Sequence, residues 1–234
     1  MSHFFTIVLI EEECEDIERR IEELLEKYNE NLEMDRYIEY TKEELIEKNK
    51  KETQEYLTNG NYAEYIKDPR EYENKYGKNN NHMNYIKNEF PKKLNWTDEE
   101  HYQDAIKYYD EDNIGVDGEV YSTYNPNSKW DWWVIGGRWD GIIKNNYQSS
   151  DNGFNFNDQH HTINNNIIEV KLINNSEQYP FAIVTPDGDW HEKGNMGWWC
   201  MVQNEKEQND WNDMCNMLFN KYQDCWAVGC DMHI

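Results

Sequence analysis

An α+β fold, built on a mixed or antiparallel sheet with a large helical or irregular insertion, is the architecture that this 234-residue sequence predicts. Three observations carry the prediction. A short β-forming apolar run stands near each end of the chain. An amphipathic helix pattern adjoins each run. A turn-marked hairpin precedes the second of these helices. Strands and helices that do not alternate regularly point to α+β rather than to a wound parallel sheet.

Residues 4–10 are an unbroken apolar run and read as the first strand. Ile17, Ile21, Leu24, Leu25 and Tyr28 then recur at helical spacing and mark one face of a helix. Acids from Glu11 onward gather toward its N-terminus, where the helix dipole favours them. Thr41 and Glu44 make a capping box that opens a helix to about Leu57. Asn59-Gly60-Asn61 is a turn signal. Residues 61–95 are polar, tyrosine-rich and poorly periodic, and 78–81 read as loop. Thr97 and Glu100 repeat the capping box and open a helix to about Tyr109. Residues 119–124 read as a strand that enters a segment dense in Trp and Gly.

Residues 145–166 are rich in Asn, Ser and Asp and read as a long loop, and 167–173 alternate weakly as a strand. Residues 180–185 are a strand, Pro186-Asp187-Gly188 a turn, and Asp189 begins the return strand. Trp211, Met214, Cys215, Leu218, Phe219 and Tyr222 line one face of the last helix, and 226–234 are the last strand. There is no fixed-period repeat and no clear linker. One domain over 1–234 is expected, with the insertion at 42–118 and the Asn-rich loop at 145–166. The order at the two ends suggests a ferredoxin-like sheet.

Composition narrows the function. Lys and Arg number 23 against 47 Asp and Glu, a net charge of -24. A duplex-DNA reader needs a basic face, so DNA is not the expected partner. An anionic membrane surface is disfavoured for the same reason. A small anionic ligand stays compatible, because a pocket can be cationic on an acidic protein. An aromatic share of 15% argues against wholesale disorder. No stretch approaches the roughly 18 apolar residues of a membrane span, and the N-terminus lacks the basic region of a signal peptide. Five cysteines without a C-x-x-C point to a reducing cytosol rather than a disulfide framework.

The densest chemical signal runs from Tyr124 to Trp139. It holds Lys129, Trp130, Asp131, Trp132, Trp133, Gly136, Gly137, Arg138 and Trp139. Two adjacent glycines permit a sharp turn or close approach to a ligand. Arg138 can clamp phosphate with two parallel bonds, Lys129 can add a point charge, and Trp faces can stack a base. The competing assignment puts the tryptophans in the core and pairs Arg138 with Asp131 or Asp140. A second signal follows the hairpin turn, with Trp190, His191, Gly194, Gly197 and Trp198. A third is positional. His3 precedes the first strand and His233 closes the last, so antiparallel pairing of these strands brings the two together. With His191, three imidazoles would be available to bind a metal, to orient a ligand or to act as acid and base. No three-ligand metal motif and no P-loop is present, so neither metal nor cofactor is expected. His82 and His101 are expected to be solvated, and His160 and His161 to have no role.

The opening Met1-Ser2-His3-Phe4, the stretch Asn29-Glu30-Asn31, and the run Asn-Pro-x-Ser-Lys-Trp-Asp-Trp-x-x-Ile-Gly-Gly-Arg-Trp at 125–139 together resemble a family of tailed-phage proteins. Trp-His-x-x-Gly-x-Met-Gly-Trp at 190–198 and the terminal Asp-x-His-Ile match as well. The resemblance reaches both ends and the middle of the chain but not 42–118 or 141–178. It implies a phage product working in the host cytoplasm. By class analogy it resembles counter-defence proteins that capture or cleave the nucleotide signals of host immunity. The expected function is therefore sequestration of such a signal, a cyclic dinucleotide or an ADP-ribose derivative. One alternative is a phosphodiesterase acting on it. Another is an acidic inhibitor or nucleic-acid mimic that binds a host defence protein. Self-association into a homo-oligomer is left open.

Overall fold

The computed structural model describes residues 2–144, 162–173, 179–197 and 201–234. They group into two compact units, Met1–Glu33 with Tyr124–Ile234, and Met34–Thr123. The second unit covers the stretch where the sequence places an insertion.

The chain begins with β1 (His3–Ile10), buried on both faces for most of its length, which is why it reads as an unbroken apolar run. Helix α1 (Ile17–Leu25) opens where the Asp16 carboxylate accepts the Arg19 N–H, and it buries Ile21, Leu24 and Leu25. The second unit contributes β2 (Tyr37–Tyr40), α2 (Lys42–Thr58), α3 (Asn61–Lys67), α4 (Pro69–Tyr76) and α5 (Asn80–Asn84). A π-helical turn (Tyr85–Glu89), α6 (Phe90–Lys93), α7 (Asp98–Ala105) and β3 (Val120–Ser122) complete it. The chain then re-enters the first unit through β4 (Trp132–Ile135), α8 (Ile163–Asn166), β5 (Ile167–Glu169), β6 (Ala182–Val184) and β7 (Trp190–Glu192). The short strands β8 (Asn195–Met196) and β9 (Val202–Gln203), helix α9 (Gln208–Lys221) and β10 (Trp226–His233) follow.

The first unit is a mixed six-stranded sheet in the order β4-β10-β1-β6-β7, with β5 also paired to β10. This is the α+β class expected. The ferredoxin-like order is corrected. In that fold the return strand of the hairpin sits between the two strands joined by the first helix. Here β1 and β6 pair directly in parallel, and β7 lies outside β6. The two main helices also cover opposite faces. Phe4, Val8, Ile10, Val184 and Met232 pack against α1. Phe5, Ile7, Leu9, Ile183 and Ala227 pack against Trp211, Cys215, Leu218 and Phe219 of α9.

In the second unit both capping boxes form as read, at Thr41 with Glu44 and at Thr97 with Glu100. Residues 61–95, poorly periodic in sequence, form short helices, and of the stretch read as loop Asn80 and Asn81 open α5. Asp68 caps α4 ahead of Pro69, Asn79 caps α5, and Tyr72, Met83 and Ile86 form a small core. His101 is corrected as well. It is buried, with its Nδ1 2.8 Å from Asn49 Oδ1. His82 is half-buried, 2.7 Å from the Tyr72 hydroxyl.

Candidate functional site

The pairing of β1 with β10 runs antiparallel along their whole length and sets His3 directly opposite His233. Strand β10 pairs on its other side with β4, which sets His233 opposite Trp132. His3, His233 and Trp132 thus form one cross-strand row. Opposed residues of an antiparallel pair point to the same face, so the three rings meet. The His3 and His233 ring centroids lie 4.9 Å apart, and those of His3 and Trp132 5.8 Å, both edge-on. The row continues the face that carries Phe5, Ile7 and Leu9, at the end of the sheet where the apolar core stops.

Each imidazole is held by its own carboxylate. His3 Nδ1 is 2.9 Å from Asp231 Oδ1, and His233 Nδ1 is 2.6 Å from Asp131 Oδ1. Asp231 lies two residues from His233 on β10, and side chains at i and i+2 of a strand share a face. That places its carboxylate diagonally across from His3. Its second oxygen accepts the backbone N–H of Arg138 at 3.0 Å. Asp231 therefore ties His3 to the Gly136–Gly137 turn. Both glycines have positive φ, 77° and 55°. A Cβ on Gly137 would come within 2.5 Å of the Asp231 Cβ, so only glycine fits this approach.

The site is shielded. The His3 and Asp231 side chains are 8% and 2% exposed, and those of His233 and Asp131 are 12% and 34%. Burial pulls the His3 pKa below its ordinary value against the opposing pull of Asp231, and the charges of Arg138 and His233 add to the lowering. His233 Nε2 is buried with no hydrogen-bond partner among the described residues. A buried polar atom without a partner is costly and calls for an explanation. A donor or acceptor on a ligand at this point would supply one.

The other expected site residues divide as follows. Arg138 is exposed on a 3₁₀ turn beside His3. Lys129 does not offer a separate charge to phosphate, because its Nζ lies 2.6 Å from Glu192 Oε1. Glu192 also accepts the Trp190 indole N–H at 2.8 Å. Trp130 is buried and donates to the Leu25 carbonyl at 3.0 Å. Trp139 packs on Phe5, and Trp190 packs on Phe4 and Tyr28. These three indoles fill the two cores rather than forming a stacking wall, as their apolar area favours. Of the tryptophans expected to bind ligand, Trp132 is the one seen against His3, and Trp198 lies outside the described residues.

His191 does not join the pair. It sits on β7 opposite Ile183, two strands from β1 and level with Ile7. Strand spacing and rise put it about 17 Å from His3. Burial lowers its pKa too, and the charges it feels are Asp189, Lys221 and Lys206. The residue that sequence reasoning missed is Asp231. Its signal was the Asp-x-His spacing on a strand, which puts both side chains on one face.

Among the described residues no group of three or more His, Cys, Asp or Glu is placed to hold a metal ion. Burial pushes the Cys215 thiol up to about 12 and raises the Cys230 thiol too, so neither is a ready thiolate at neutral pH. Among the described residues no helix is long and apolar enough to cross a membrane. No family model, curated protein or solved structure matches the chain.

Proposed function

We propose that this protein acts on a phosphate-bearing nucleotide at the His3–His233 edge, cleaving a phosphodiester by general acid–base catalysis. The observation that carries the reading is the pair of touching imidazoles, each anchored at Nδ1 by a separate carboxylate. A carboxylate on Nδ1 fixes the tautomer and leaves Nε2 to exchange protons with a substrate. His3, neutral at neutral pH, takes the proton of the attacking hydroxyl at Nε2. His233 gives a proton from Nε2 to the leaving oxygen. Arg138 stands beside them to meet the phosphate, where a guanidinium is well suited. By class analogy with phage counter-defence proteins, the ligand would be a nucleotide signal of host immunity, met in the host cytoplasm.

Capture without turnover is the second reading, favoured by the burial of both imidazoles. One experiment separates the two. The protein is incubated with cyclic dinucleotides and ADP-ribose derivatives, heated to release bound material, and the ligand is chromatographed. A new product that disappears in His233→Ala supports cleavage, and intact ligand recovered from the protein supports capture. Recovery of nothing from either class favours the acidic protein-binding inhibitor, whose partner contacts would weaken steeply with salt.

A further inference from the structure

Within the second unit, α2, α7 and the π-helical turn line two adjoining clefts of about 220 Å³ and 190 Å³ that share Asn49, Glu52 and Tyr108. Their floor is a closed polar network. Asp104 meets Lys93 at 2.6 Å, Lys107 at 3.1 Å and the Asn49 amide at 3.3 Å. Asn49 in turn meets the buried His101. With one carboxylate set against two ammoniums, this network offers a polar, hydrogen-bonded base to whatever enters.

The walls are less easily explained by stability. Tyr108 is 84% exposed at the mouth, a large ring with no place in either core of its unit. Tyr85 lies on the π-helical turn, a distortion frequent at functional sites, which leads into Phe90. Lys48 and Glu52 are spaced to pair on α2, yet they form no ion pair within 4 Å. The Lys48 ammonium lies instead over the Tyr40 ring at 4.6 Å. A carboxylate and an ammonium are thus left side by side on one wall, near an exposed aromatic ring.

We propose that these clefts bind a planar heteroaromatic base of the guanine type, as free base or nucleoside. Each cleft is smaller than the usual 300–1,000 Å³ or so of a drug-sized site, which suits one base rather than a dinucleotide. Tyr108 stacks on the ring. The edge of guanine carries two adjacent N–H donors beside a carbonyl. Glu52 accepts from the donors, and Lys48 donates to the carbonyl. The site lies wholly within the second unit, and the proposal does not depend on the reading of the histidine edge.

Titration calorimetry of the full chain with guanosine, inosine and adenosine tests this. Guanosine is expected to bind best, inosine more weakly for want of the amino group, and adenosine least. Tyr108→Ala should weaken guanosine about tenfold or more, the usual effect of losing a stacked ring. Glu52→Gln should weaken guanosine and narrow its margin over inosine. Both positions are exposed, so circular dichroism should be unchanged in each variant. The proposal is overturned if guanosine gives no heat at millimolar concentration. Equal binding of adenosine, or two folded variants that bind like the parent, would overturn it as well.

Discussion

Replacing Asp231 by Asn removes one charge and almost no volume, and the structure says what should follow. Asp231 is 1% exposed and accepts two hydrogen bonds, from His3 Nδ1 at 2.9 Å and from the Arg138 N–H at 3.0 Å. The Arg138 N–H can only donate, so the amide oxygen of Asn must face it. The amide NH₂ then faces His3 Nδ1, which must become an acceptor, and the imidazole proton moves to Nε2. A hydrogen bond to a charged group is worth about 1.5–3 kcal/mol and a neutral one about 0.5–1.5. Two bonds therefore lose about 2 kcal/mol together. A neutral amide costs less to bury than a carboxylate, which returns part of this. The expected loss of stability is about 1–2 kcal/mol, measured by urea unfolding. Long-range ¹H–¹⁵N spectra of the imidazoles should show His3 changing from Nδ1–H to Nε2–H while His233 keeps its tautomer. Turnover should fall about 10²–10⁴-fold, because the base then carries its proton on the wrong nitrogen. An unchanged His3 tautomer together with unchanged stability would refute the account of how Asp231 positions His3.

Three further outcomes follow from the same contacts. His3, His101 and His191 all have pKa values lowered chiefly by burial. The unfolded chain then binds more protons than the folded one. This contribution to stability is present above the ordinary imidazole value of about 6.5 and is lost as pH falls through the lowered values. Urea midpoints should therefore drop from pH 7.5 to pH 5.5, and His101→Gln should reduce that drop. Gly137→Ala places a side chain at φ 55° and against Asp231. It should cost more than the roughly 1–3 kcal/mol of backbone strain alone and should loosen the Arg138 turn, seen as faster exchange of its amide. Lys129→Ala breaks a partly exposed pair with Glu192. It should cost about 1 kcal/mol and leave affinity for an anionic ligand unchanged; a large loss of affinity would return Lys129 to the ligand site.

Much of the first unit is legible in the sequence, because its elements are specified locally. The run ending at Ile10, the α1 stripe, the Pro186-Asp187-Gly188 turn and the α9 stripe each carry a period or a turn that needs no partner to be read. The meeting of His3 with His233 is also legible, since it needs only the antiparallel pairing of the two end strands. The placement of β6 beside β1 is not, because local pattern does not say which strand a crossover will join. The short helices of 61–95 escape for a different reason. Their apolar face is made of Tyr72, Met83, Ile86 and neighbouring tyrosines, so hydropathy barely changes around each helix while the rings still pack. Lys129 and the buried tryptophans mislead because a Trp-rich, cationic segment looks the same whether it faces a ligand or the core.

Turnover by the histidine pair is the central claim. Wild type, His3→Ala and His233→Ala are each incubated with a phosphodiester-linked cyclic dinucleotide, and product is followed by chromatography from pH 5 to 9. The account predicts product from wild type with a bell-shaped pH profile, and loss of turnover in both folded variants with binding largely kept. Product formed equally by the variants, or no product from any nucleotide class while the ligand returns intact, would contradict it.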